Sequence, residues 1–271
     1  MEGTPIFEAR PGLSQRLARR LRTHRPITAG AVVTVTGYIV LTALLVGIGF
    51  LLTELLLDGP IGRWDDSVNV WFVRQRTPAF DELTIWGSRL GDTVTVIGVA
   101  ALAVGILAIG RHWAQIAFLV GALVIEVTTF VTTAFLVERQ RPAVRQLDAV
   151  PPTSSFPSGH TAASIVLYVG LAIIVTSLVR QAFVRALVWS LAVVLPIAVA
   201  LSRLYRGMHH PTDVIASAIG AAGCLVFALL ATRTGAAVAE MDAEEKSAAP
   251  QPASPVSVVL PTGTSDVGVV P

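Results

Sequence analysis

Apolar residues along this chain fall in long runs rather than in stripes, and short polar clusters separate the runs. Six runs stand out: Ile27 to Leu57, Thr93 to Ile109, Trp113 to Val137, His160 to Leu178, Ala186 to Leu204 and Asp213 to Ala231. About 20 apolar residues cross roughly 30 Å of hydrocarbon as a helix. Backbone in lipid must satisfy its own hydrogen bonds, which restricts such runs to α-helix. The pattern predicts an all-α fold, a six-span transmembrane helical bundle over residues 27–231. Asp58-Gly59-Pro60 closes the first span. Residues 61–90 mix Trp64, Trp71, Phe72, Phe80 and Trp86 with charges and predict a short amphipathic element at headgroup level. Anchoring explains that element, with substrate gating as the alternative. Gly110-Arg111-His112 makes a tight turn. Pro142, Pro151, Pro152 and Pro157 make the stretch from Glu138 to His160 irregular and stiff, and Pro196 predicts a kink in the fifth span.

Composition agrees with a bilayer. Only 14% of residues are charged against 53% hydrophobic, and mean hydropathy is +0.68, whereas soluble domains carry roughly 25% charged residues. A net charge of +2 says little about partners, and no nucleic-acid partner is expected. Cys224 is the only cysteine, so one chain can build no disulfide or multi-thiolate metal site. The first apolar run is far longer than the h-region of a signal peptide and is expected to remain as a membrane helix. Residues 1–26 form a basic segment with Arg10, Arg16, Arg19, Arg20, Arg22 and Arg25, which assigns that end to the cytoplasm. Six spans then leave both termini cytoplasmic. Residues 232–271, rich in Ala, Pro, Ser, Gly and Val, are expected to be a disordered cytoplasmic tail.

Three polar islands fall on one, extracytoplasmic side in this count. They are Arg139-Gln140-Arg141-Pro142, Pro157-Ser158-Gly159-His160, and Ser202-Arg203 through His209 to Asp213. Arginines on that side run against the charge bias and call for a reason such as anion binding. Guanidinium grips two oxygens at once, and phosphoryl transfer depends on positioning and electrostatics around the equatorial oxygens. Arg141 and Arg203 are the expected clamps, with Arg139 a third. Ser158 is a good N-cap, and free amides of Gly159 and His160 at a helix start suit an anion. An imidazole at His160 can protonate a leaving alkoxide. His209 and Asp213 lie four apart and would share a helical face, so that the carboxylate orients the ring and frees its other nitrogen as a nucleophile. His210 is expected to face elsewhere, with a supporting role as the alternative. Glu126, inside the third span, reads either as functional or as a helix–helix hydrogen bond.

The islands resemble the three signature motifs of the type 2 phosphatidic acid phosphatase superfamily, Lys-x6-Arg-Pro, Pro-Ser-Gly-His and Ser-Arg-x5-His-x3-Asp. The second and third are complete here. The first keeps Arg141-Pro142 but has Ala134 at the lysine position, a gap that Arg139 would fill or leave open. The resemblance implies a lipid phosphate phosphatase that needs no metal or other cofactor. His209 would be the nucleophile assisted by Asp213, with His160 as acid and Ser158, Gly159, Arg141 and Arg203 on the phosphate. Polyprenyl diphosphate, phosphatidate and phosphatidylglycerophosphate are the substrates it implies, presented in the bilayer. A zinc hydrolase lacks His-Glu-x-x-His, a serine hydrolase lacks the Gly-x-Ser-x-Gly elbow, and nothing argues for halide oxidation. A non-catalytic lipid-phosphate binding or transport protein on the same fold is the alternative, favoured only by Ala134.

Overall fold

The computed structural model describes residues 5–22, 24–150 and 152–248. These form nine α-helices: α1 Leu13–Leu21, α2 Pro26–Phe50, α3 Pro60–Arg74, α4 Pro78–Arg89, α5 Thr93–Ile109, α6 Trp113–Val137, α7 Gly159–Leu178, α8 Ala182–Tyr205 and α9 Pro211–Ala248. A π-helical segment, Leu51–Leu56, prolongs α2. Five helices are long and apolar enough to cross a membrane, and the bent pair α4–α5 makes a sixth if it counts as one span. The fold is thus an all-helical, multi-pass membrane bundle, as the apolar runs predict.

The bundle core is set by period. Phe118, Leu119, Ala122, Ile125, Glu126, Thr129 and Thr133 recur at three- and four-residue steps on α6, and all are buried. They meet Val166, Leu167 and Ile174 of α7 and Ala221, Cys224 and Leu225 of α9. A second cluster of Leu45, Leu52, Val137, Phe156 and Ala216 closes the bundle at the end where the polar islands gather. Glu126 makes no hydrogen bond to another described residue. It lines a small cavity with Thr129, Pro157, Ser217 and Cys224 under the second island.

Residues 61–90 are two helices. Trp64, Trp71 and Trp86 are exposed, while Asp65 and Asn69, one turn apart on α3, are buried. Arg76, between the helices, donates to the Tyr205 and Arg145 carbonyls and so fixes this element to the end of α8. Tyr168 of α7 donates to the Leu90 carbonyl at the 43° bend between α4 and α5.

The expected tail is corrected in its first part: α9 continues through residues 232–248 as helix. Alanine is the best helix former, and Ala237 and Val238 pack against Ala18 of α1 and Ala29 of α2. Arg233 also donates to the Ile6 carbonyl. The basic N-terminal segment gives this extension a surface to lie on, a pairing distant in sequence. The remainder of the expected disordered tail lies outside the described residues.

Close approach at Gly91 brings the α4–α5 bend against α7. A Cβ there would sit 2.7 Å from the His160 carbonyl oxygen and 2.8 Å from Val199 Cγ1. Gly91→Ala is therefore expected to cost about 1–3 kcal/mol of stability, read as a lower melting temperature in detergent. An unchanged melting temperature would contradict this packing.

Candidate active site

Four helix ends converge on the islands: the C-termini of α6 and α8 and the N-termini of α7 and α9. The loop from Glu138 to Ser158 runs across them, held by Ser155 N–H on the Arg139 carbonyl at 2.9 Å and Leu147 N–H on the Arg206 carbonyl at 3.0 Å. Gly207, with φ +72°, turns the chain out of α8 and delivers His209 and His210 just before Pro211 opens α9.

Asp213, on the first turn of α9, is fully buried. Its Oδ1 accepts from Arg139 Nη1. Its Oδ2 accepts from Ser155 Oγ at 2.5 Å and from the His210 amide at 2.8 Å, with His210 Nδ1 at 3.4 Å. His209 Nδ1 lies 2.7 Å from the Ser155 carbonyl oxygen and 3.7 Å from Asp213 Oδ2. A carbonyl only accepts, so Nδ1 carries the proton and Nε2 keeps its lone pair. The expected direct His209–Asp213 hydrogen bond is thus corrected: Ser155 fixes the tautomer, and Asp213 acts as a nearby charge. Burial is the main influence on His209 and pushes its pKa below the ordinary histidine value, with Arg203 and Arg141 adding to it and Asp213 opposing. Burial therefore favours the neutral ring. His210 is corrected too, because it faces Asp213 and closes the turn that carries the carboxylate.

Arg141 spends Nη1 on the Met208 carbonyl at 2.7 Å, and Arg203 spends Nη1 on Ser88 Oγ at 2.7 Å and Asp148 Oδ2 at 2.8 Å. The Nε–H of each is buried without a partner. Buried donors are nearly always satisfied, yet Arg139, Arg141 and Arg203 each keep one Nε–H without a partner among the described residues. His160, second residue of α7, is half-buried, lies 3.9 Å from Asp92 Oδ1, and is within electrostatic reach of His209 and Arg203. The Gly159 and His160 amides have no partner among the described residues.

Two expected phosphate ligands are placed differently. Arg139 is buried and committed to carboxylates: Nη2 donates to Asp65 Oδ2 at 2.7 Å, and Nη1 to Thr212 Oγ1 at 2.7 Å and to Asp213. Ser158 is fully buried, with its hydroxyl 3.0 Å from Thr161 Oγ1 and its amide donating to Ser217 Oγ at 2.7 Å. Arg139 keeps only its Nε–H without a partner among the described residues, and the Ser158 hydroxyl does not cap the backbone of α7.

Sequence reasoning missed Asp65, Ser155, Asp148 and Arg206. Ser155 stands two residues before the second island, and Asp65 pairs with Asn69 at helical spacing, which are the only signals for them. Asp148 bridges Arg203 and Arg206, accepting from Arg206 Nε at 2.8 Å. Among the described residues no group of three or more His, Cys, Asp or Glu side chains is arranged to hold a metal.

In its multi-pass all-α fold the chain is similar to PAP2-type membrane phosphatases. Residues 115–235 match the family model described as the PAP2 superfamily. A solved structure similar to this one is the PAP2-type transmembrane phosphatidylglycerolphosphate phosphatase from Bacillus subtilis. It is 20% identical, the match covers 81% of this chain and 96% of that one, and the TM-score is 0.57. Aquifex aeolicus LpxE is 21% identical over 60% of this chain and 93% of its own, with a TM-score of 0.49. No curated protein matches the sequence.

Burial alone would raise the Asp148 carboxyl, but the hydrogen bond from Arg206 and the charges of Arg203 and Arg206 outweigh it and hold the group below its usual range. A carboxylate depressed in the folded state contributes stability above its unfolded pKa, about 3.9, and loses it as pH falls through the folded value. Asp148→Asn should lower the melting temperature at pH 7, and the difference from the parent should narrow below about pH 4. A difference that stays constant from neutral to acid pH would contradict the ion pair.

Proposed function

We propose that the protein is a lipid phosphate phosphatase that works through a phosphohistidine and needs no metal ion. The observation that carries this reading is His209. Its Nδ1–H is held by the Ser155 carbonyl, its Nε2 lone pair is free, and the unpaired Nε–H groups of Arg141 and Arg203 lie nearby.

The chemistry follows from those groups. Arg141, Arg203 and the Gly159 and His160 amides hold the phosphate oxygens and accumulate positive charge where the transition state spreads negative charge. His209 Nε2 attacks phosphorus and forms an N–P bond as the lipid P–O bond breaks. His160 gives its proton to the departing oxygen. Asp213, beside Nδ1, stabilises the positive charge that the ring acquires. In the second step His160 takes a proton from water, the oxygen attacks phosphorus, the N–P bond breaks, and inorganic phosphate leaves.

The orientation is part of the proposal. Arg111, Arg180 and Arg185 lie at the bundle end opposite the islands, and six further arginines precede α2. The positive-inside rule favours cytoplasmic termini and an extracytoplasmic site. Polyprenyl diphosphate is the leading substrate, followed by phosphatidate and phosphatidylglycerophosphate, the last supported by the Bacillus subtilis neighbour's own substrate. Ala134 favours a second reading, a binding or transport protein without turnover, because the site has one cation fewer.

Phosphate release by the purified protein in detergent tests both readings over these three lipids. At least one lipid should be turned over in the presence of EDTA. His209→Ala and His160→Ala should each lower the rate by on the order of 10³-fold or more while the protein stays folded. Binding without release would support the second reading. A His209→Ala variant as fast as the parent would remove the nucleophile assignment.

A further inference from the structure

We propose that Asp65, on α3 and outside the residues matched by the superfamily, is a positioning residue of the reaction that acts through Arg139 and Thr212 on Asp213. It rests on the reading of His209 as nucleophile and Asp213 as its charge partner.

The side chain of Asp65 is 1% exposed and makes three hydrogen bonds, one with Arg139, which holds Asp213, and two with Thr212, its neighbour in the chain. Oδ2 accepts from Arg139 Nη2 at 2.7 Å and from Thr212 Oγ1 at 2.5 Å, and Oδ1 accepts from the Thr212 amide at 3.0 Å. The last bond satisfies one of the orphan N–H groups that open a helix, and it comes from another helix. Asp65 thereby fixes the first turn of α9, where Asp213 resides.

The second effect is on geometry at the carboxylate. A guanidinium facing a single carboxylate tends to grip both oxygens in a fork. Asp65 occupies Nη2, so Arg139 reaches Asp213 with Nη1 and touches only Oδ1. Oδ2 remains for Ser155 and His210 and stays 3.7 Å from His209 Nδ1. The third effect is charge. Arg139 between two carboxylates leaves one formal negative charge in a buried network, next to the ring that becomes positive when phosphorylated. Without Asp65 the Arg139–Asp213 pair would be neutral, and that support would be lost.

Charged and titratable groups around His209 come from every neighbouring element. They are Asp213 of α9, Arg203 of α8, His160 of α7, Arg141 of the loop, and His210 beside it. Only the Asp213 side of this set connects to Asp65, so removing the Asp65 charge has one direction of effect. Asp65→Asn takes a negative charge from the network and disfavours the protonated imidazole. The acid limb of kcat/KM then moves to lower pH while kcat falls.

The experiment uses the full chain in detergent, with the lipid phosphate that the parent hydrolyses. For Asp65→Asn we expect kcat to fall roughly tenfold or more, as outer partners of reactive groups do. KM should stay within about twofold, since Asp65 touches no phosphate ligand, and the acid limb should shift down. Asp65→Glu keeps the charge and should keep the limb at the parent's pH with a reduced kcat. A parent-like kcat and pH profile for Asp65→Asn overturns the proposal, as does a loss confined to KM. If Asp65→Asn is recovered only unfolded, Asp65→Glu decides, because a parent-like kcat there overturns it too. His209→Ala as active as the parent would sink the underlying reading. His209→Ala inactive beside an unaffected Asp65→Asn would sink this inference alone.

Discussion

The carboxylate of Asp213 is wholly buried, and a charge in that position costs several kcal/mol unless it is paired and hydrogen-bonded. Its donors come from three places: Arg139 after α6, Ser155 in the loop, and His210 before α9. Burying Asp213 therefore ties together the chain ends that must meet. Arg139, buried in turn, requires a further counter-charge, which α3 supplies as Asp65. A helix whose tryptophans face outward is thereby drawn against the bundle by its polar side.

The same carboxylate links structure to reactivity. Because Ser155 donates its hydroxyl to Asp213 and accepts from His209 with its carbonyl, one residue aligns both the charge and the ring. The orientation of the His209 ring is set without a direct bond to Asp213. The opposite wall is built of cations with donors to spare, Arg141 and Arg203, the latter braced by Ser88 and Asp148.

Much of this was legible in the sequence where the signal is local. The bound between α5 and α6 follows from Gly110-Arg111-His112 interrupting the apolar runs, and the polar islands are the segments that four helix ends bring together. The misreadings share a physical cause. The four-residue spacing of His209 and Asp213 implies a shared face only inside a helix, yet α9 starts at Pro211, so the histidine lies on a turn and bonds elsewhere. The pairing of Arg139 with Asp65 was not legible because Asp65 is remote in sequence. Ser158 looked like a cap and ligand because Ser217, which takes its amide, lies on α9. The helical extension beyond Ala231 depends on packing against α1, which no local pattern records.

The central claim is that His209 Nε2 becomes covalently phosphorylated. Rapid quenching during turnover, followed by mass spectrometry under alkaline conditions that preserve phosphoimidazole, tests it most directly. The account predicts a transient phosphate on the peptide containing His209, lost when the quenched protein is acidified and absent in His209→Ala. A phosphate trapped on another residue, or steady turnover by the parent with no phosphate on His209 at any quench time, would contradict it.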